Sequence, residues 1–95
     1  LNELRIRRKQ LDKSKNWGFT CGNCSKKVVS KEGSEYFSIT PSQIFKGENE
    51  RACSEGCAYV IAKDIVWNWL NRNPDSKYFH YENLDETIKN QIKHC

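Results

Sequence analysis

Four of the five cysteines lie in two tight pairs, Cys21 and Cys24 in "FTCGNCSKK" and Cys53 and Cys57 in "ACSEGCAYV". Pairs of this kind serve three chemistries: a structural metal site, disulfides or a redox dithiol. A C-x2-C turn aims two thiolates at one point, and glycine or asparagine inside it lets the backbone turn tightly and direct amides at the sulfurs. Each pair has an internal glycine, Gly22 or Gly56. The second pair is C-x3-C at the start of a helical pattern, where residues four apart share a face and the positive helix end favours thiolate. Two such pairs make a complete set for zinc, which takes four ligands in a tetrahedron with sulfur at about 2.3 Å. Disulfides fit less well, because five cysteines leave one over and nothing marks the chain as secreted. A redox dithiol needs its C-x2-C at a helix start after a buried strand, whereas "SKKVVSKEGSEYF" reads as strand and turn. The expectation is one structural Zn2+ on Cys21, Cys24, Cys53 and Cys57. His80, His94 and Cys95 are the rival donors. The last two stand at the end of the sequence, where chains fray. His80 reads as a packed or surface side chain, and Cys95 as a free thiol.

The elements that must carry these residues follow from periodicity and punctuation. Residues 2–14 read as a short helix or a solvated arm, with Leu4 and Leu11 seven apart among arginines and lysines. "KKVVS" and "EYFSI" are β-rich and flank "KEGSE", which predicts a hairpin. "TPSQIF" predicts one helical turn, with Pro41 after Thr40 and Gln43 closing a capping box. The strongest helix runs from an N-cap at Ser54, with Glu55 in its first turn, to about Asn73 before Pro74. Its apolar face is Ala58, Ile61, Ala62, Ile65, Val66 and Trp69, with Lys63, Asp64, Asn68 and Asn71 opposite. "KYFHY" suggests a late strand. Asn83 and Glu86 form a capping box before Leu84, Ile88 and Ile92, which predicts a last amphipathic helix.

A C-x2-C knuckle, a hairpin, and then "CSEGCA" opening a helix resemble a treble-clef zinc finger. The second half is similar to MYM-type, or TRASH-like, fingers. The resemblance covers roughly residues 17–72 and implies a knuckle at Cys21 and Cys24 with a helix bringing Cys53 and Cys57. Where those fingers usually carry an aromatic residue before the second pair, this chain has Ala52. The expected fold is a small zinc-stabilised α+β domain: a treble-clef-like knuckle and β-hairpin, a long helix and a C-terminal helix. Residues 1–16 form a basic arm or short helix, 17–95 a single zinc-binding domain, and 73–95 its helical extension.

Composition narrows the function. At 95 residues, 37% hydrophobic and 29% charged, the chain is one small polar globular domain, short of core and in need of a staple. No eighteen-residue apolar run is present for a membrane span, and "LNELRIRRKQ" lacks the apolar centre of a secretory signal. The expected setting is intracellular: cytoplasm, nucleoid or nucleus. Catalysis is not expected. Residues 25–56 lack the histidine base of ββα-metal nucleases, four thiolates close the metal to water, and neither deaminase, P-loop nor G-x-S-x-G motifs occur.

Residues 1–16 hold six basic and two acidic side chains, so this segment carries the whole net charge of +4. That points to nucleic acid, with Arg5, Arg7, Arg8 and Lys9 on the arm and Lys26 and Lys27 on the knuckle neutralising phosphates. The alternative is a protein–protein adaptor docking through the helix at 55–73, by Val60 and Trp67. Trp17, Phe19, Tyr36, Phe37, Tyr78, Phe79 and Tyr81 form a large aromatic supply, most of which a minimal core would absorb.

Overall fold

Leu4 and Ile6 alternate with Arg5 and Arg7, a period-two pattern that buries one side of a strand and leaves charge on the other. The computed structural model describes residues 4–32, 35–42, 45, 48–73, 75 and 84–95. In it, strand β1 (Leu4–Gln10) takes the place of the helix or arm expected over residues 2–14. The physical reason is Ile6. A helix turns it about 200° away from Leu4, whereas a strand buries both on one face.

β1 runs antiparallel to β4 (Glu35–Pro41), and β4 antiparallel to β5 (Glu50–Ala52), so β4 is the middle strand of a three-stranded sheet. The register pairs Leu4 with Pro41, Ile6 with Ile39, and Arg8 with Phe37, which in turn faces Ala52. A second, two-stranded sheet joins β2 (Gly18–Thr20) and β3 (Lys27–Val29). The expected hairpin between β3 and β4 is therefore corrected. Both strands form, but β3 pairs back to β2 and β4 pairs with β1 and β5. The helical turn expected over "TPSQIF" is corrected at its start, since Pro41 is the buried last residue of β4 and the turn closes later, with the Phe45 amide donating to the Ser42 carbonyl at 3.1 Å. Gln43 lies outside the described residues.

Helix α1 (Glu55–Arg72) begins and ends where the sequence places it. The Ser54 hydroxyl accepts from the Cys57 amide at 3.3 Å, and the Asn73 side chain donates to the Trp69 carbonyl at 2.8 Å. Ala58, Ile61, Ala62, Val66 and Leu70 are buried against β4 and β5, with Ile65 and Trp69 half-buried beside them. Phe45 is buried with its ring edge-on to Trp69, centroids 5.4 Å apart. Helix α2 (Leu84–Lys93) packs on α1 and β1, burying Ile88 and Ile92. Lys63 of α1 pairs with Asp85 of α2 at 3.7 Å, and Gln91 donates to the Leu4 carbonyl. The result is a small α+β fold with both helices on one face of the main sheet. The late strand expected at "KYFHY" and the candidate ligand His80 lie outside the described residues. No helix among the described residues is long and apolar enough to cross a membrane.

Candidate metal centre

The β2–β3 connection is the knuckle. The Cys21 amide donates to the Lys26 carbonyl at 2.9 Å and the Ser25 amide to the Cys21 carbonyl at 3.1 Å, closing a tight turn that contains Cys24. The left-handed residue of that turn is Ser25, at φ 64°, rather than a glycine. Closeness does not demand glycine at Gly22, because a Cβ there would meet only the movable ends of two side chains, Glu50 and Ile61. The Gly22 amide donates to the Arg51 carbonyl at 2.9 Å, which fastens the knuckle to β5 just before Cys53. Gly56 has open space where a Cβ would stand, so the sequence-based role for a glycine does not hold there either.

Cys53 precedes the N-cap Ser54, and Cys57 lies in the first turn of α1. Knuckle and helix start thus converge. The sulfurs of Cys21, Cys24, Cys53 and Cys57 all lie within 4.8 Å of one another. Cys24 and Cys53 Sγ are 3.5 Å apart, and Cys53 and Cys57 Sγ 3.8 Å. A tetrahedral ion with sulfurs at about 2.3 Å spaces them about 3.8 Å apart, so these side chains fit such an ion. Cys21 is buried, Cys53 and Cys57 are half-buried and Cys24 is exposed.

The electrostatics of the four thiols are uneven. Burial opposes ionisation at Cys21, but the amides of Cys24, Asn23 and Cys53 point at its sulfur and lower the thiol to about 6. Burial, and then the sulfurs of Cys24, Cys21 and Cys57, push Cys53 up to about 12. The Asn23 side chain, 3.4 Å from Cys57 Sγ, and the Ser54 hydroxyl lower Cys57. Four sulfurs this close cannot all carry charge side by side unless a cation sits among them. The Asn23 contact to a cysteine 34 positions away is a part of this site that the sequence reading missed. Its only signal is an asparagine inside the C-x2-C.

The other candidate residues separate. Cys95 stands apart from the cluster, its thiol donating to the Ile6 and Gln91 carbonyls at 3.2 Å each, so the chain's last residue rests on β1. Arg5, Arg7 and Lys9 point away from the helices on one face of the sheet, all exposed. Arg8 faces the other way. It pairs with Glu55 at 2.7 Å and Glu35 at 3.9 Å and lies 5.2 Å over the Phe37 ring. Lys26 and Lys27 line a groove with Glu32, Glu35 and Cys53, whose lining includes neither Arg5 nor Arg7. Val60 is half-buried, and Trp67 is 43% exposed on α1. Comparison with protein-family models, curated proteins and solved structures returns no match for this chain.

Proposed function

We propose that this chain is a non-catalytic, zinc-stabilised module that binds nucleic acid through the cationic face of its sheet. The observation that carries the reading is the convergence of four cysteine sulfurs within 4.8 Å. An all-thiolate tetrahedral set selects zinc among the common divalent ions, and with every position filled by protein the metal is a cross-link rather than a Lewis acid. Bound there, zinc supplies cohesion. It ties the β2–β3 knuckle to the start of α1. A knuckle giving one pair and a helix start giving the other also support the treble-clef resemblance. Four thiolates need a reducing compartment, so the setting is intracellular.

The nucleic-acid half of the reading rests on Arg5, Arg7 and Lys9, which the strand brings to one exposed face. Arg8 is not part of it, because Glu35 and Glu55 already neutralise it. Native mass spectrometry of reduced protein should give one zinc per chain. An absence of zinc, or a Cys21–Cys24 disulfide under reduction, overturns the metal reading. A titration with nucleic acid at low salt should show binding, with log K falling against log salt at a slope of about −2.7 to −3.6 for three or four duplex phosphates neutralised. No binding at low salt ends the second half.

The exposure of Trp67 favours one other reading, a protein adaptor docking through α1. It expects Trp67→Ala to lose a partner that the Arg5/Arg7/Lys9→Ala variant keeps.

A further inference from the structure

The face of the β1–β4–β5 sheet that the helices leave open presents seven strand positions: Arg5, Arg7, Lys9, Tyr36, Ser38, Thr40 and Arg51. Four are cations and none is a carboxylate. The four cations are exposed, and Tyr36, Ser38 and Thr40 are half-exposed between them. Beside this face lie three aromatic rings in mutual contact: Trp17 to Phe19 at 5.6 Å, Trp17 to Tyr36 at 5.4 Å and Phe19 to Tyr36 at 5.2 Å. The Arg51 guanidinium sits 5.3 Å over the Trp17 ring, so charge and aromatic surface meet at one point. Trp17 remains 38% exposed.

A pocket of about 470 Å³ opens next to these rings, walled by Trp17, Tyr36 and Leu11, with Lys15, Asn16 and Ser30 as polar lining. That volume is within the range of about 300–1,000 Å³ typical of small-ligand sites. Lys9 faces Tyr36 across the strand pair, so the cationic row runs up to the pocket mouth. Asp12 also borders the pocket, but its carboxylate accepts from the Ser14 amide at 2.9 Å and the Ser14 hydroxyl at 2.6 Å and shapes the loop.

We propose that this open sheet face binds single-stranded nucleic acid, its phosphates on Arg5, Arg7, Lys9 and Arg51 and one base held in the pocket beside Trp17 and Tyr36. The inference rests on the nucleic-acid reading above and adds which form is bound. A duplex keeps its bases stacked inside and can offer only phosphates to the cations. A single strand can also offer a base to the rings, and base–aromatic stacking tolerates any sequence. Cations interleaved with aromatic rings beside a cavity with ample room for a base therefore fit the single strand and leave half the surface unused by a duplex.

The test is a fluorescence-anisotropy titration of the zinc-loaded full chain with labelled single-stranded DNA, single-stranded RNA and a DNA duplex of one sequence. Either single strand should bind at least tenfold more tightly than the duplex. Arg5/Arg7/Lys9→Ala should weaken all three probes. Trp17→Leu should weaken the single strands about fivefold or more and leave the duplex unchanged. Since Trp17 also holds the aromatic trio together, a second measurement needs no substitution. Ultraviolet crosslinking of a bromouracil-containing single strand should map to the peptide spanning residues 16–26 or to Tyr36. Equal affinity for duplex and single strand, or crosslinks confined elsewhere, overturns the inference while the nucleic-acid reading stands. Binding to neither form overturns both, and equally tight binding of polyglutamate shows a general polyanion surface and overturns both as well.

Discussion

Arg8 carries the same charge as Arg5 and Arg7 and sits between them and Lys9, yet the strand turns it to the opposite face. There it stacks on Phe37 and reaches Glu55. Its loss should therefore be felt in stability. A cation over a ring contributes about 0.5–1 kcal/mol and a solvent-exposed ion pair about 0–1 kcal/mol, so Arg8→Ala should cost on the order of 1 kcal/mol. Urea melts will measure that cost, and nucleic-acid affinity should stay near wild type. The Arg5/Arg7/Lys9→Ala variant should show the reverse. If Arg8→Ala weakens binding as much as that triple change, the division of the two faces is wrong. Among the cysteines the contrast is sharper. Changing Cys21, Cys24, Cys53 or Cys57 to Ser should collapse zinc content and fold together, whereas a Cys95→Ser hydroxyl can still donate to the carbonyls that the thiol now serves. Cys95→Ser destabilising as much as Cys53→Ser would show that the ligand set is misassigned.

Helix α1 links residue to architecture, because its first turn is both a capped helix start and one side of the four-cysteine cluster. Ser54→Ala removes the acceptor that holds the Cys57 amide, and N-cap losses run about 0.5–2 kcal/mol. Ser54→Asp should restore most of it in thermal melts, since aspartate caps as well as serine. If Ser54→Ala leaves both melting temperature and zinc affinity unchanged, the cap does not position Cys57. That helix was legible in the sequence because its signals are local: Ser54 before a periodic apolar stripe, Asn73 and Pro74 at its end. The four cysteines were legible for the same reason, as two short spacings. β3 and β4 were legible as strands, but the pairing of the sheets was not. β1 pairs with β4 across roughly thirty residues, so nothing near Leu4 announces its partner, and Leu4 and Leu11 at a spacing of seven mimic a helix. β2 and β5 are three residues each, too short for alternation to register. With β5 unseen, Arg51 could not be placed beside Trp17, and the cationic sheet face went unread.

At the scale of the whole molecule, the knuckle, β5 and α1 meet at the four sulfurs, and the apolar core around them is small. Zinc sites in finger peptides supply about 10–16 kcal/mol, against about 5–15 kcal/mol for the total stability of an ordinary domain. Chelation should therefore unfold the chain, seen as loss of far-ultraviolet circular dichroism, and zinc should restore it. The pH dependence of zinc affinity then tests whether metal and fold are one event. The lowered thiol of Cys21 exists only while the fold aims the amides of Cys24, Asn23 and Cys53 at its sulfur. As an acid with a depressed value, it favours the folded state fully above the ordinary thiol range, and that contribution is lost as pH falls through about 6. If the metal-free chain stayed folded, Cys21 would already be ionised above pH 6, and zinc would displace three protons or fewer. If the metal-free chain unfolds, its thiols return to about 8.5, and zinc must displace nearly four protons between about pH 6.5 and 7.5. Log affinity should then rise by about four per pH unit in that window, measured by competition with a chelator of known pH dependence. A slope of three or less would mean that the site is assembled before the metal arrives, and that zinc fills a fold it does not create.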